Sequence, residues 1–202
     1  MTTVGVGVAT FGSSEWKERG LWTQKQILNR TAVDDIAHVH SDSLASARNE
    51  LIEILDAEYI VLVDADDLVC DNYCDILKSY IIDNSNVLYQ PSTIGLYEDG
   101  TLEGAPTLIP DRDMNISNNL VIGTAFRKDC AGIFDSSLHA LEDWDFFLQM
   151  LFSGAKIKQC PNLVYEVGIF MDNSRNNNRY NHDAAYSIIR KRRSGRVSGY
   201  LV

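Results

Sequence analysis

Residues 59–68 read Tyr-Ile-Val-Leu-Val-Asp-Ala-Asp-Asp-Leu, an apolar stretch of strand length that ends in three carboxylates. Because every position from 59 to 63 is apolar, the pattern predicts a strand buried on both faces, as in a parallel sheet. Ligands of open α/β sheets lie beyond the carboxyl ends of such strands. Asp64 and Asp66 would project to the same side and repel each other unless a cation lies between them. The stretch therefore indicates either a site for Mg²⁺ or Mn²⁺ and phosphate oxygens, or a strand with a solvated acidic turn.

The segments around this strand alternate between strand and helix patterns. The predicted strands are 4–9, 36–40, 59–63 and 87–90, and the predicted helices are 14–29, 44–55 and 73–81. Ser43 is the expected cap of the second helix, because its hydroxyl can accept from the first free N–H groups. This order predicts an α/β fold in which a mainly parallel, twisted sheet lies between helices.

The pattern becomes mixed after about residue 91. Glu98-Asp99-Gly100 is a hairpin signal, and Gly154 is the expected end of a strong amphipathic helix over 141–151. The remaining predicted elements are strands over 120–127, 156–160 and 164–170, a polar loop over 172–181 and a last helix from about Ala184. We predict one domain over 1–202, divided into a first part, 1–90, and a second part, 91–202, that ends in a basic helix and tail.

Composition limits the class of protein. The chain has 202 residues, 45% of them apolar and 23% charged, as in soluble globular domains. No apolar stretch is long enough to span a bilayer, and the N-terminus lacks the basic region of a secretory signal. The 4 cysteines lack the paired spacing of a zinc site, so we expect free thiols and a cytoplasmic location.

The charge is distributed unevenly. A net charge of -10 argues against a general nucleic-acid coat protein and against binding to an anionic membrane. Five of the residues from 190 to 196 are nevertheless basic. Two interpretations stay open for this tail: a solvated helix end, or a contact with the phosphates of a polymer or lipid.

A second acidic cluster, Glu142-Asp143-Trp144-Asp145, lies at the predicted start of the strong helix. Acids at a helix N-terminus can simply stabilise the helix dipole. A metal-binding carboxylate group together with a second carboxylate nearby would also suit a glycosyl transfer. The metal neutralises a departing nucleoside diphosphate, and the second carboxylate removes a proton from the attacking hydroxyl. Trp144 falls on the apolar stripe of the helix and is expected in the core.

Five segments in order resemble motifs of the GT-A fold glycosyltransferases, especially family 2, over about residues 3 to 170. They are Val4-Gly5-Val6-Gly7-Val8-Ala9-Thr10-Phe11, Ser43-Leu44-Ala45-Ser46-Ala47-Arg48-Asn49, Asp64-Ala65-Asp66-Asp67, the pair Gly123-Thr124-Ala125-Phe126-Arg127 and Gly132-Ile133-Phe134-Asp135, and Glu142-Asp143-Trp144-Asp145. The resemblance implies a metal-dependent, inverting transfer of one hexosyl or related sugar from a nucleoside-diphosphate sugar, with UDP favoured by family frequency.

The resemblance also implies residue roles. Asp143 would be the general base, and Glu142 and Asp145 would shape the catalytic site. The metal, Mn²⁺ or Mg²⁺, would be held by Asp66, Asp64 and Asp67. The residues expected to contact the donor are Thr10, Phe11, Asp42, Arg48, Asp64 and Ala65, with Arg48 close to the diphosphate. The first part, 1–90, would bind the nucleotide sugar, and the second part, 91–202, would face the acceptor.

The chain departs from the family pattern in two places. The base-contacting segment after the second strand is compressed to His38-Val39-His40-Ser41-Asp42-Ser43, where Asp42 can stand in. The late His that often completes the metal site is missing from 168–173, so His182 is the substitute, unless it is a solvated loop residue. The Gln-x-x-Arg-Trp motif of processive synthases is absent, which favours transfer of one sugar.

The acceptor and two other classes of protein stay open. A saccharide or glycan precursor is favoured as acceptor, and the alternatives are a hydroxymethylated base in DNA, as in some phages, or a protein. A haloacid dehalogenase phosphatase fits less well, because Leu68 occupies the position where it needs Thr or Val. A sugar nucleotidyltransferase lacks its Gly-rich, Arg-containing loop after the first strand. A non-catalytic module that binds carbohydrate or metal would also explain the acids.

Overall fold

The apolar stretch before Asp64 forms an inner strand of a parallel sheet. The computed structural model describes residues 2–83, 85–109, 114–169 and 179–197, with side chains of the last helix described over 182–192. From Tyr59 to Val63 every residue of this strand is inaccessible to solvent. A continuous apolar pattern therefore reflects burial on both faces, as predicted.

The first sheet has four strands in the spatial order β2, β1, β3, β7. Their bounds are Val4–Phe11 for β1, Asp35–Ser41 for β2, Tyr59–Asp64 for β3 and Phe126–Arg127 for β7. Strand β1 is parallel to both β2 and β3, and β7 is antiparallel to β3. The predicted α/β class with a mainly parallel central sheet is confirmed.

A second sheet has the order β4, β8, β5, β6. Its strands are Leu68–Val69 for β4, Val87–Leu96 for β5, Leu102–Thr107 for β6 and Lys156–Gly168 for β8. Strand β5 is parallel to β8, and the other two pairings are antiparallel. Backbone hydrogen bonds between Tyr89 and Ala125 connect the two sheets.

The described part of the chain contains five α-helices and one short 3₁₀ helix, Lys128–Cys130. The α-helices are α1, Ser14–Arg30; α2, Leu44–Ile54; α3, Tyr73–Tyr80; α4, Glu142–Phe152; and α5, Arg179–Val197. Ser43 caps α2 by accepting from the Ser46 amide at 3.1 Å. Gly154 follows α4 with φ +93°, a left-handed conformation that glycine adopts without steric cost. Both predicted helix ends are confirmed.

Several predicted elements differ from the structure in extent. The predicted strand over 87–90 continues through Pro91 to Leu96, and the register shifts at Pro91, where the ring cannot donate to a ladder. Of the predicted strand over 120–127, only Phe126–Arg127 pairs in the first sheet. The two predicted strands over 156–170 are one strand, β8, which ends at Gly168. The hairpin at residues 98–100 is confirmed between β5 and β6.

The last helix begins earlier than the sequence indicates. Helix α5 starts at Arg179 instead of about Ala184, so His182 is a helical residue and not part of a loop. The rest of the predicted polar loop, 172–178, lies outside the described residues. All 4 cysteines are free thiols, as predicted. Within the described residues, no helix combines the length and apolar character that a membrane crossing requires.

Candidate active site

A buried arginine connects the end of β3 to the start of α4. The side chain of Arg48, on α2, is 2% exposed; it donates to Asp64 at 2.7 Å and to Glu142 at 2.9 Å. The ring of Phe134 lies 5.3 Å from its guanidinium carbon. Burial alone lowers the pKa of Arg48, but Asp64 and Glu142 raise it above its ordinary value, so the guanidinium stays charged. This Arg48 bridge brings the two predicted acidic clusters together, although 94 positions separate Arg48 from Glu142.

Asp143 is a half-buried carboxylate beside this bridge. The side-chain amide of Asn118 donates to its Oδ2 at 2.8 Å, and the Trp144 amide donates to its Oδ1 at 2.8 Å. Burial and the neighbouring charge of Glu142 raise the pKa of Asp143 to about 6. A carboxylate with this pKa is ionised at neutral pH and can still accept a proton readily, as a general base must.

The backbone at the start of α4 is strained. Leu141 has φ +58°, a left-handed conformation that costs a residue with a Cβ about 1–2 kcal/mol. Trp144 is 1% exposed, donates to the Met114 carbonyl at 2.8 Å and stacks on Tyr186. Its predicted place in the core is confirmed. Buried Trp144 and strained Leu141 together fix the direction in which the side chains of Glu142 and Asp143 project from the helix.

The acidic turn after β3 is fixed by its last carboxylate. Asp67 is 7% exposed and accepts from the Tyr165 hydroxyl at 2.7 Å and from the Gly168 amide at 2.8 Å. The Tyr165 oxygen also accepts from the Asp64 amide at 3.3 Å. Burial, together with Asp66 and Asp64, raises the pKa of Asp67 well above its ordinary value. Both carboxylate oxygens of Asp67 thus accept hydrogen bonds from other residues of the protein.

The remaining acids of the turn, Asp64 and Asp66, fit a metal only when substrate oxygens supply further ligands. Asp66 is half-buried in the turn, and one oxygen of Asp64 contacts Arg48. In the part of the chain that the structure describes, no group of three or more His, Cys, Asp or Glu side chains is arranged to hold a metal. Mg²⁺ is commonly held by one or two carboxylates plus substrate phosphates. Asp64 and Asp66 fit that mode, and they do not form an all-protein cage.

A cavity of about 230 Å³ is lined by Asp64, Asp67, Glu142 and Asp143, whereas Asp66 is not among its lining residues. Its polar lining consists of Arg48, Asp64, Asp67, Asn118, Glu142, Asp143, Tyr165 and His182. His182, half-buried on α5, thus lies at the same cavity as the two acidic clusters. Sequence reasoning missed Asn118 and Tyr165, because neither belongs to a motif and both reach the site through the fold.

Asp145, the third acid of the second cluster, faces a different cavity. This larger space, about 520 Å³, is lined by Asp145, Asn49, Asp135 and Arg192 among others. Asp145 accepts from Gln149 at 2.9 Å and from Arg192 at 3.4 Å. The smaller cavity is the one that contains residues of both acidic clusters, including Asp143, the carboxylate whose pKa is displaced toward neutral pH.

Four other residues expected at the donor do not line the smaller cavity. Thr10 and Phe11 end β1, Asp42 follows β2 and is exposed, and Ala65 lies in the acidic turn. The Thr10 hydroxyl is 2.8 Å from a His38 ring nitrogen and 3.0 Å from a His40 ring nitrogen.

No protein-family model and no curated protein matches the chain. Solved structures of TarS from S. aureus do. A crystal structure of TarS has a TM-score of 0.61 at 14% identity and covers 83% of this chain and 37% of its own. TarS 1-349 in complex with UDP gives the same score and identity, with 83% of this chain and 61% of its own covered. TarS 1-349 in complex with UDP-GlcNAc has a TM-score of 0.60 at 15% identity and covers 87% of this chain and 61% of its own.

This likeness shows the fold of the chain. The central parallel sheet with flanking helices is the fold of these TarS structures, although few residues are identical. The chain spans between 37% and 61% of the length of these neighbours.

Proposed function

We propose that the protein is a glycosyltransferase that moves one sugar from a nucleoside-diphosphate sugar to a hydroxyl acceptor, with inversion at the anomeric carbon. The observation that carries the proposal is Asp143, a carboxylate with a pKa of about 6 in the same cavity as Asp64. The fold supports it, since TarS is a glycosyltransferase that has been crystallised with UDP and with UDP-GlcNAc. A UDP-hexose or a related UDP-sugar is therefore the proposed donor.

The donor side of the site is the acidic turn after β3. Asp64 and Asp66 would hold Mn²⁺ or Mg²⁺ together with the diphosphate, and the metal would neutralise negative charge on the departing nucleotide. Asp67 contributes by fixing the turn, since Tyr165 and Gly168 occupy its oxygens. Arg48 holds two carboxylates in place; whether it also contacts the diphosphate stays a prediction.

The acceptor side is Asp143. Its carboxylate removes the proton of the acceptor hydroxyl while the oxygen forms a bond to the anomeric carbon. In the same step the bond from that carbon to the diphosphate oxygen breaks, and the nucleoside diphosphate leaves with the electron pair. Glu142 is not the base in this proposal, because its carboxylate is paired with Arg48 at 2.9 Å. Glu142 instead raises the pKa of its neighbour.

A saccharide or glycan precursor is the proposed acceptor. The arginines that would favour DNA are partly engaged within the protein: Arg192 pairs with Asp135 and Asp145, and Arg190 lies over the ring of Tyr186 at 5.3 Å. The side chains of the other basic residues after Arg192 lie outside the described part. Hydroxymethylated DNA is therefore included in the test as an alternative acceptor.

The test offers labelled nucleotide sugars with a glycan panel, with hydroxymethylated duplex DNA and with water alone. Asp143→Asn should lose about 10²–10⁴-fold in turnover, the usual contribution of a positioned base. UDP binding, measured by calorimetry, should change little. Asp99→Asn, in the exposed β5–β6 hairpin, is the matched control and should keep full activity.

Each outcome bears on a separate part of the proposal. A product that keeps the anomeric configuration of the donor would contradict the base assignment. Labelled DNA whose yield falls steeply with salt would replace the saccharide acceptor. If no nucleotide sugar is turned over, even by hydrolysis, the non-catalytic binding module replaces the enzyme.

A further inference from the structure

We propose that Asn118 is a positioning residue for Asp143: it holds the carboxylate in one orientation and favours the ionised form that accepts the proton. This inference rests on the proposed function, since it assigns Asp143 as the base. Asn118 is 25 positions away from Asp143 in the chain and belongs to none of the sequence motifs.

The hydrogen bonds fix which end of the Asn118 amide faces the carboxylate. The Leu120 amide donates to the Asn118 Oδ1 at 3.0 Å, and only an oxygen can accept there. The Nδ2 group must therefore be the end that faces Asp143, to which it donates at 2.8 Å. Asn118 thus presents a donor to the carboxylate, and the amide cannot rotate to present its oxygen without losing both bonds.

The segment that carries Asn118 is itself attached to the core. The indole of Trp144 donates to the Met114 carbonyl at 2.8 Å, and the side chain of Gln90 donates to the Asn119 carbonyl at 2.7 Å. Asn119 is 4% exposed. Because Trp144 is also the residue after Asp143, the segment is bonded to the start of α4 at two adjacent points. The position of Asn118 relative to Asp143 is therefore set by buried contacts.

The charges around Asp143 explain why a donor matters there. Burial, then Glu142, raise the pKa of Asp143, and Asp64 raises it further. Arg48 lowers this pKa, but its guanidinium already donates hydrogen bonds to Asp64 and Glu142. His182, from α5, lines the same cavity. Asn118 supplies an uncharged donor directly to Oδ2, and hydrogen bonds to the anion stabilise it over the neutral acid.

Because the hydrogen bond from Asn118 stabilises ionised Asp143, its removal should change the pH dependence of activity. Asp143 acts as a base only when ionised, so activity falls as the pH drops through its pKa. Removing the Asn118 donor destabilises the anion, raises the pKa of Asp143 and moves the acidic limb of the pH–rate profile to higher pH. A hydrogen bond to a charged group justifies a loss of about 10–100-fold in kcat near pH 6.

The experiment compares Asn118→Ala and Asn118→Asp with the matched control Ile116→Ala, a 65% exposed residue of the same segment. Asn118→Asp keeps the acceptor for the Leu120 amide and replaces the donor with a second carboxylate, so it should shift the limb further than Asn118→Ala. Donor KM should stay near that of the wild type in both, since the donor-side carboxylates are untouched. Ile116→Ala should leave the profile unchanged.

A second readout separates this inference from the proposed function. The pKa of Asp143 can be followed by carboxyl ¹³C NMR in the 22.7 kDa protein, without any substrate. A higher pKa in both Asn118 variants confirms the interaction even if no transfer is found, in which case the proposed function alone fails. Unchanged pKa and unchanged pH–rate limbs in folded Asn118→Ala would overturn the inference.

Discussion

The hydroxyl of Tyr165 lies 2.7 Å from the carboxylate of Asp67, although the two residues are 98 positions apart in the chain. This contact attaches the acidic turn after β3 to β8. The same hydroxyl accepts from the Asp64 amide, so one side chain fixes both ends of the turn.

Tyr165→Phe should therefore loosen the acidic turn while preserving the ring. Loss of a hydrogen bond to a carboxylate predicts a decrease of about 1.5–3 kcal/mol in the free energy of unfolding. Binding of Mn²⁺ in the presence of UDP should weaken by about 10–100-fold, as for other residues that orient metal ligands. Urea denaturation and Mn²⁺ EPR measure these two effects. Tyr97→Phe, on the exposed hairpin, should change neither, and equal effects in both variants would contradict the role of Tyr165.

Gly123 is required by the ring of the same tyrosine. A Cβ at Gly123 would lie 2.1 Å from a ring carbon of Tyr165, which is 1% exposed and cannot move aside. Gly123→Ala should destabilise the fold by at least about 1–3 kcal/mol, as overpacking of a core does. The matched variant is Gly132→Ala, whose Cβ would meet its nearest neighbours at 3.2 Å. Thermal denaturation should show a clearly smaller loss for Gly132→Ala, and the reverse order would contradict the packing.

Arg48→Met should be severely destabilising, because it leaves Asp64 and Glu142 without their buried cation. Breaking a buried ion pair from one side typically costs about 3–5 kcal/mol. Adding Glu142→Gln removes one of the two uncompensated charges and should recover part of the loss. Chemical denaturation of the single and double variants measures the coupling. Lys25→Met, at an exposed position of α1, is the control and should stay within about 0.5 kcal/mol of the wild type.

Asp143→Asn should be more stable than the wild type at high pH and no more stable at low pH. The pKa of Asp143 is about 6 in the folded protein and near its ordinary value in the unfolded chain, so the folded state binds the proton more tightly. Wild-type stability from this group is therefore lost as the pH rises from about 4 to about 6.

The Asp143→Asn variant cannot ionise at this position, so it does not lose that stability as the pH rises. It should gain about 1–3 kcal/mol over the wild type above pH 6, the size expected for a carboxylate destabilised by its surroundings. Denaturation curves at several pH values test this. A stability difference that does not depend on pH would contradict the displaced pKa of Asp143.

The parts of the fold that follow local patterns could be predicted from the sequence. The continuous apolar run of β3, the Ser43 cap and Gly154 each depend on neighbours within a few residues, and each is confirmed. The two predicted acidic clusters are connected in the structure, since Asp64 and Glu142 both accept hydrogen bonds from Arg48. Strand bounds after residue 91 were less accurate, because pairing of β5 with β8 across Pro91 depends on distant partners.

The supporting contacts of the site could not be predicted. Asn118 and Tyr165 occupy ordinary positions in the sequence, and only tertiary packing brings them to Asp143 and Asp67. Arg48 was expected near a diphosphate because of its motif, and in the structure it contacts two carboxylates. The contact with Glu142 could not be predicted, because 94 positions separate the two residues. The expected proximity of Arg48 to a diphosphate stays a prediction.

The position of β8 between β4 and β5 has a consequence for the order in which the protein matures on the ribosome. The acidic turn emerges with residue 67, but Tyr165 is made 98 residues later. At the usual rates of translation this interval lasts about 5–20 s. For that time the nascent chain can form the parallel strands β1, β2 and β3 while the turn lacks Tyr165, and until α4 is made it lacks Asp143 as well. Ribosome-bound chains that stop before β8 therefore carry much of the central sheet without a completed active site.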